Sequence, residues 1–453
     1  MTGPRQLPFG RTLALILAVA LVLRLAAGWW WQQRLPPGTQ FGFGDSAGYW
    51  ELAGHIARGE PYEAGPDRLK IFRTPGYPVA LAPLFLLRDN PPVLWARAEA
   101  ALFATAAVGG VAWLGRLLFD QRTALLAAAI AAVYPEAIAL GAFVLSEAAF
   151  TPLMVLHLGL WVVAWQAGST PKVAGCSLAA GIAGGLATLV RPSWLLFVPF
   201  ALVVGITLSL RQRNATEGRN ATEGVPYSAW RRQLLIGGMM LAGLCLAMLP
   251  WWIRNYRVAG RFVPTSLQVG ASLYDGISPQ ATGASHMEFV GRFATAQRAA
   301  DAQPGADTRG TFEERLDRRF RDAALDFARR DPARVLQLAG IKLLRMWSPL
   351  PNAADFQSTT LRLILAVTYT PLIMLALVGA WRFARRDWPC FLFVMPAVYF
   401  TLLHVVFVSS IRYRQPALLP LIVLAAAVIV QWRVQRSGFR VQANDKTASQ
   451  PEP

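Results

Sequence analysis

GDSAGYWELAGHIARGEPYEAGPDRLKIFRTPGYP, residues 44–78, is a polar island between two long apolar runs, and the architecture follows from that contrast. Upstream, the run from about Thr12 to Trp31 is long enough to cross a bilayer, which takes about 20 residues. Downstream, the next begins near Pro92. The first run ends in Trp29, Trp30 and Trp31, interfacial aromatics that mark an anchored helix, and it lacks the small-residue cleavage site of a signal peptide. Arg24 lies inside it, where it either snorkels to the interface or faces the bundle.

The composition agrees. Of 453 residues 54% are hydrophobic and 15% charged, whereas a soluble enzyme carries about a quarter charged residues. The net charge of +18 is what basic residues flanking spans on the cytoplasmic side produce. No basic module with interleaved base-stacking aromatics is present, so nucleic acid is not an expected partner. Cys176, Cys245 and Cys390 lie in apolar runs without CxxC spacing, which implies neither a disulfide framework nor a zinc site.

Further apolar runs begin near Ala124, Val144, Val173, Ser193 and Leu234. The connections at Arg116–Arg122, Lys172 and Arg211–Arg232 are basic and alternate with connections poor in lysine and arginine, which puts the amino terminus in the cytoplasm and the 44–78 loop outside. The cytoplasmic connection carries a tandem NATEGR and NATEGV, with sequons at Asn214 and Asn220, expected to be an unstructured linker. From Arg254 to about Thr360 the chain turns polar. Here a charged helix is expected over Thr311–Arg330, and an amphipathic helix lying on the membrane over Pro332–Trp347, with Val335, Leu338, Ile341 and Leu344 or Met346 as its apolar stripe and Lys342 and Arg345 set off from it. Three last spans start near Leu361, Trp388 and Pro416, and a basic tail follows. The expectation is an all-α polytopic membrane protein of about ten spans, both termini cytoplasmic. Residues 1–253 form a transmembrane module with a catalytic outer loop at 32–91, 254–360 a small extracytoplasmic domain, 361–432 the last spans and 433–453 a disordered tail.

After Asp45, the residues Tyr49, Leu52, Ala53 and Ile56 recur at helical spacing with Glu51, His55 and Arg58 opposite, which describes a short amphipathic helix in the outer interface. Asp45 is placed to cap that helix, a role compatible with one oxygen facing a substrate. RTPGYP is a rigid turn that aims Arg73, a fork suited to a phosphate of lipid or substrate, with Tyr77 beside it. Glu147, in LSEAAF, falls just inside the outer end of the fourth span, where a carboxylate is costly and therefore a functional candidate; Glu136 in VYPEA has a weaker claim. Arg191, Arg254, Arg412 and Arg414 collect at outer span ends, where positive charge is usually sparse. With Asp45 and Glu147 they suit an anionic lipid-linked group, and membrane lipids alone could also hold them. His157 and His404 lie within spans, without ligand-spaced partners, and suit packing. No nucleotide loop, HExxH or suitably placed GxSxG occurs.

Together these pieces resemble the GT-C superfamily of membrane glycosyltransferases, in particular its bacterial dolichyl-phosphate-mannose-protein mannosyltransferase-like branch, which includes the aminoarabinose transferases. The resemblance rests on GDSAGYWELAGHIARGEPY with RTPGYP, LSEAAF, LVRPSW, LPWWIRNYRVAGRFVPTS and RYRQPALLPL, in that order over nearly the whole chain. It implies a bundle of GT-C type and transfer of a hexose or pentose from a polyprenyl-phosphate donor to a protein, lipid or glycan hydroxyl, with inversion. Asp45 matches the family's essential acid and would be the general base, and Glu147 would orient acceptor or sugar. Arg73, with Arg254, Arg412 and Arg414, would hold the lipid phosphate, and Tyr49, His55, Tyr77 and Arg191 would line the sugar or acceptor. Ser46 follows Asp45 where the family often has a paired acid, and Arg73-Thr74-Pro75 stands where it often has lysine-proline-proline. Some relatives use a divalent metal; this loop offers no convincing ligand set for one, so a divalent metal stays open, and no other cofactor is implied. A flippase of lipid-linked sugars is the rival reading, but it predicts charges at mid-membrane and paired repeats, whereas here the polar residues gather at one face.

Overall fold

Pro135 interrupts the third expected span. It lacks an N–H and holds Tyr134 extended (φ −67°, ψ 120°), so the helix stops at Val133 and a new one starts. The computed structural model describes residues 8–217, 229–351, 356, 358–385 and 387–448. Among them helix is the regular structure throughout, with one isolated bridge between Ala64 and Leu69.

The helices run in order α1 (Phe9–Arg34), the loop helices α2 (Gly44–Arg58) and α3 (Gly76–Leu87), α4 (Val93–Leu118), the broken pair α5 (Gln121–Val133) and α6 (Pro135–Leu140), then α7 (Ser146–Gln166), α8 (Thr170–Val190), α9 (Phe197–Glu217) and α10 (Ala229–Ala259). The polar segment contains α11 (Val269–Gly276), α12 (Phe289–Asp301), α13 (Phe312–Arg330) and α14 (Pro332–Trp347). The chain then continues through α15 (Thr359–Phe383), α16 (Trp388–Leu392), α17 (Met395–Val406) and α18 (Ile411–Ala448). Eight stretches among the described residues are long and apolar enough to cross a membrane: α1, α4, α7, α8, most of α10, α15, α16 with α17, and the first part of α18. The chain is thus a multi-pass, all-helical membrane protein. The other two expected spans are shorter apolar helices, Gln121–Val133 before the break and Pro192–Leu208, which follows an extended Arg191 and opens with a 3-10 turn over Pro192–Trp194.

The break leaves carbonyls without helical partners, and Arg24 supplies them. Its guanidinium donates to the carbonyls of Ala131, Ala132 and Ala20, each at 3.0 Å, with the side chain 1% exposed. Of the two sequence-level alternatives, Arg24 therefore faces the bundle. Trp29 and Trp30 point outward, while Trp31 turns in against Phe43, Phe143 and Phe356.

Three local expectations change. On α14 the buried face is Leu338, Lys342 and Met346, with Leu336 and Leu344 exposed. Lys342 turns inward because its ammonium donates to the carbonyls of Val405 and Val406 (3.2 and 2.7 Å), the open C-terminal end of α17. The tail, expected to be disordered, continues α18 as helix to Ala448. The first NATEG copy begins within α9, whose backbone is helical to Glu217, and the second, 220–225, lies outside the described residues.

Replacing Arg24 by methionine fills similar space but strands the buried carbonyls of Ala131 and Ala132. Each orphaned buried acceptor costs about 1–3 kcal/mol. Tryptophan-fluorescence melts in detergent should therefore show a clearly lowered midpoint for Arg24→Met and a partial recovery for Arg24→Lys.

Candidate functional site

The 44–78 loop folds back on itself. Buried Leu52 and Ala53 of α2 pack toward α3, where Trp50 meets Phe85 (4.5 Å between ring centroids) and Tyr49 meets Tyr77 (5.1 Å). Asp45 lies in the first turn of α2, and Phe43 rather than Asp45 occupies the cap position. The carboxylate makes no capping bond, which leaves both its oxygens for other partners at a helix end that favours negative charge.

RTPGYP is fixed from two sides. The Tyr62 hydroxyl lies 3.2 Å from the carbonyl oxygens of both Arg73 and Thr74. Gly76 meets the end of α8 so closely that a β-carbon would stand 2.5 Å from the carbonyl carbon of Leu189, so only glycine fits. That contact seats the RTPGYP turn against the end of α8, which Arg191 follows.

At the centre, acids and bases alternate. Arg73 Nη2 donates to Asp45 Oδ1 at 3.0 Å, and Arg412 Nη2 reaches Asp45 Oδ2 at 3.4 Å. The same Arg412 pairs through Nε with Glu147 Oε1 at 2.8 Å, and Arg191 Nη1 reaches that oxygen at 2.7 Å. Tyrosine rings lie against the cations: Tyr49 against Arg73 at 4.5 Å, and Tyr413 against Arg412 at 4.9 Å and Arg191 at 5.5 Å. Two carboxylates among three guanidinia leave one positive charge over. Burial alone would raise the Asp45 pKa, but Arg73 and then Arg412 outweigh it and hold the carboxyl below the usual aspartate range. Glu147 is sealed, 1% exposed, whereas the Asp45 side chain is 39% exposed. Of the two acids, an incoming molecule therefore meets Asp45.

The structure thus brings together Asp45, Glu147, Arg73, Arg191, Arg412 and Tyr49, with buried Tyr77 against Tyr49. Three of the sequence candidates stand apart. Arg254 gives its fork to the carbonyls of Lys70 (2.6 Å) and Tyr62 (3.2 Å) and lies against Trp251 and Tyr62, so it fastens the loop instead of facing a ligand. Arg414 is buried against Glu136 (2.6 Å) and the carbonyls of Met346 and Ser348, over the Tyr369 ring. His55 sits 3.7 Å from Glu60 at the far end of α2. The separation of Arg412 from Arg414 has a signal in the sequence: positions i and i+2 on a helix point roughly 200° apart.

Glu313 carries no signal in the sequence, where a glutamate in a charged helix reads as solvated. Its carboxylate accepts from the backbone N–H groups of Lys70 (2.9 Å) and Ile71 (3.0 Å), which ties α13 to the first loop. Leu267 N–H donates to the Ile71 carbonyl at 2.8 Å, and Arg298 pairs with Asp67, completing a strap between loop and polar segment.

The residues present do not fit a divalent cation. Both oxygens of Asp45 face guanidinia, Arg412 stands between the two carboxylates, and three arginines would repel the ion. Among the described residues no cluster of three or more His, Cys, Asp or Glu side chains forms elsewhere.

Residues 73–219 match the sequence profile of the dolichyl-phosphate-mannose-protein mannosyltransferase family, less than half of the chain. None of the curated proteins compared with the chain matches it in sequence. Among solved structures it is similar to the archaeal oligosaccharyltransferase AglB from Archaeoglobus fulgidus in complex with an inhibitory peptide and a dolichol-phosphate. That likeness has a TM-score of 0.57 at 15% identity and covers 98% of this chain and 52% of that chain. The apo form of the Archaeoglobus enzyme gives 0.57 at 14% identity, covering 99% and 53%. The chain spans about half the length of the archaeal protein, and the likeness is one of fold. ArnT from Cupriavidus metallidurans bound to undecaprenyl phosphate is more loosely similar, with a TM-score of 0.41 at 17% identity over 92% of this chain and 77% of that chain, too loose to carry weight.

Burial pushes the Glu313 carboxyl up to about 7, against the pull of the Ile71 and Lys70 N–H groups and of Arg254. A carboxyl raised in the folded state stabilises most below its unfolded value of 4.5 and loses that contribution as pH climbs through about 7. The thermal midpoint should therefore fall over this window, and Glu313→Gln should flatten that part of the slope. Paired melts across the range check it.

Proposed function

Starting from a membrane chain with the GT-C glycosyltransferase fold, we propose that it moves a sugar from a polyprenyl-phosphate donor to an acceptor hydroxyl, in one inverting displacement at the Asp45 cluster. The observation that carries this reading is the alternating chain Arg73, Asp45, Arg412, Glu147, Arg191, with one positive charge in excess at the end of an apolar bundle. An insoluble lipid carrying an anionic headgroup is the ligand such a site suits. The site is taken to face the extracytoplasmic side of a bacterial-type plasma membrane, with both termini in the cytoplasm. The 32–91 loop and the 254–360 segment form its outer part.

In the reaction the acceptor oxygen attacks the anomeric carbon, and the bond from that carbon to the phosphate oxygen breaks. The acceptor proton passes to Asp45, and the polyprenyl phosphate leaves with the bonding pair. Arg73 and Arg412 stabilise the charge growing on the phosphate, with Arg191 behind them. Glu147, sealed between Arg191 and Arg412, fixes the guanidinium planes. In the resting site both guanidinia on Asp45 make it a weak base. A donor phosphate competes for the same N–H groups, and drawing them away restores the basicity of the carboxylate. Binding of the donor thereby prepares the group that deprotonates the acceptor. The sugar, hexose or pentose, and the acceptor, protein, lipid or glycan, are set by parts of the pocket beyond these five side chains.

A general base contributes about 10² to 10⁴-fold. Asp45→Asn keeps size and hydrogen bonding, so transfer measured with purified protein and polyprenyl phosphosugars should fall by that order while helical content is unchanged. Full activity in the variant would remove Asp45 from the mechanism. Movement of lipid across vesicles without a new glycosidic bond would replace the transferase by a flippase.

A further inference from the structure

Two of the three arginines in the cluster lie against one aromatic ring, and that ring is itself stacked on a histidine. Arg412 and Arg191 lie 4.9 and 5.5 Å from the centre of the Tyr413 ring, and Arg412 Nη2 is 3.3 Å from the Tyr413 hydroxyl. The Tyr413 ring is stacked on the His404 imidazole, with centroids 4.4 Å apart and planes 5° apart. His404 is 7% exposed, and its Nδ1 lies 2.7 Å from the carbonyl oxygen of Val408. A carbonyl oxygen only accepts, so Nδ1 carries the proton and Nε2 of the neutral ring keeps a lone pair. Nε2 is buried without a hydrogen-bond partner among the described residues.

A leucine or phenylalanine would fill this space without burying an unsatisfied nitrogen, which costs free energy. What histidine adds is a tether. The Nδ1–H bond fixes the plane of the ring to the turn between α17 and α18, and that turn is anchored in its own right: Ser409 Oγ donates to the Lys342 carbonyl at 2.7 Å, Ser409 N–H to the Gly283 carbonyl at 2.9 Å, and Lys342 Nζ holds the end of α17. A cation is attracted to the face of an aromatic ring, not to its edge, so the tilt of Tyr413 governs both guanidinia at once.

We propose that His404 is a positioning residue for the phosphate-binding arginines: tethered to Val408, it sets the plane of Tyr413, and Tyr413 sets Arg412 and Arg191. This rests on the transferase reading above. His404 touches neither substrate nor reacting atoms and acts through Tyr413.

The test is equilibrium binding of undecaprenyl phosphate to the purified full-length protein in detergent, which needs no knowledge of the sugar. His404→Leu, which removes the ring, should weaken binding about tenfold, the order of a cation–π loss at a desolvated site. Its thermal midpoint should stay within a few degrees of wild type. His404→Phe keeps a ring to stack on but loses the Nδ1–H tether, and should bind nearly as weakly as His404→Leu. Should His404→Leu not fold, His404→Phe carries the same expectation. Wild-type affinity in either variant overturns the proposal. If Arg412→Gln loses binding while His404→Leu does not, the positioning role alone falls. If the wild-type protein does not bind the lipid phosphate, the transferase reading falls and this proposal with it.

Discussion

The outer end of this bundle is organised by one guanidinium. Arg412 reaches Asp45, which belongs to a loop before the second span-length helix, and Glu147, which opens α7, from its own place at the start of α18. Three distant parts of the chain thereby meet at a single side chain. A buried ion pair gains little over an apolar contact of the same shape, yet removing one partner strands the other at a cost of about 3–5 kcal/mol. The arrangement therefore defines where the elements sit more than it adds to their stability. Arg191 and Arg73 extend the same logic outward, each using an acid already engaged by Arg412.

Such a network needs a rigid surround, and the chain supplies it with backbone carbonyls and amides more than with further charges. Arg24 serves the broken α5, Lys342 the end of α17, Arg254 the carbonyls of the first loop, and Glu313 its amides. In an apolar medium every unpaired backbone group is expensive. The ends of α5 and α17 are accordingly matched by Arg24 and Lys342, and the open backbone of the first loop by Arg254 and Glu313. The first loop is held to the polar segment through Glu313, Leu267 and Arg298, so the 35-residue stretch from Gly44 to Pro78 is not free to move as its composition suggests.

How much of this could be read from residues alone divides by interaction range. Apolar runs mark the spans, because a bilayer imposes a length that any sequence must meet, and two of the ten runs are shorter helices where Pro135 and the Arg191 turn cut them. The GT-C likeness was legible as an ordered set of short phrases. Asp45 and Arg73 stand out as an acid and a fork on a polar loop between spans, where a helix cap and a lipid headgroup account for them as well on position alone. Arg254 and Arg414 looked equivalent to Arg412 because charge type and end-of-span position say nothing about direction; helical angle could have separated the two on α18, but nothing local showed that Arg254 would meet carbonyls of Lys70 and Tyr62. Glu313 was illegible for the opposite reason: its partners are backbone groups, which carry no sequence signature.

The two arginines of α18 grip Glu147 on one side and Glu136 on the other, from positions pointing roughly 200° apart. A helix held by one tooth can roll about its axis; one held by two, on opposing flanks, cannot roll in either sense without withdrawing a buried cation from its carboxylate. The last span is therefore keyed in azimuth, and Arg414, outside the cluster, helps hold Arg412 at its working angle.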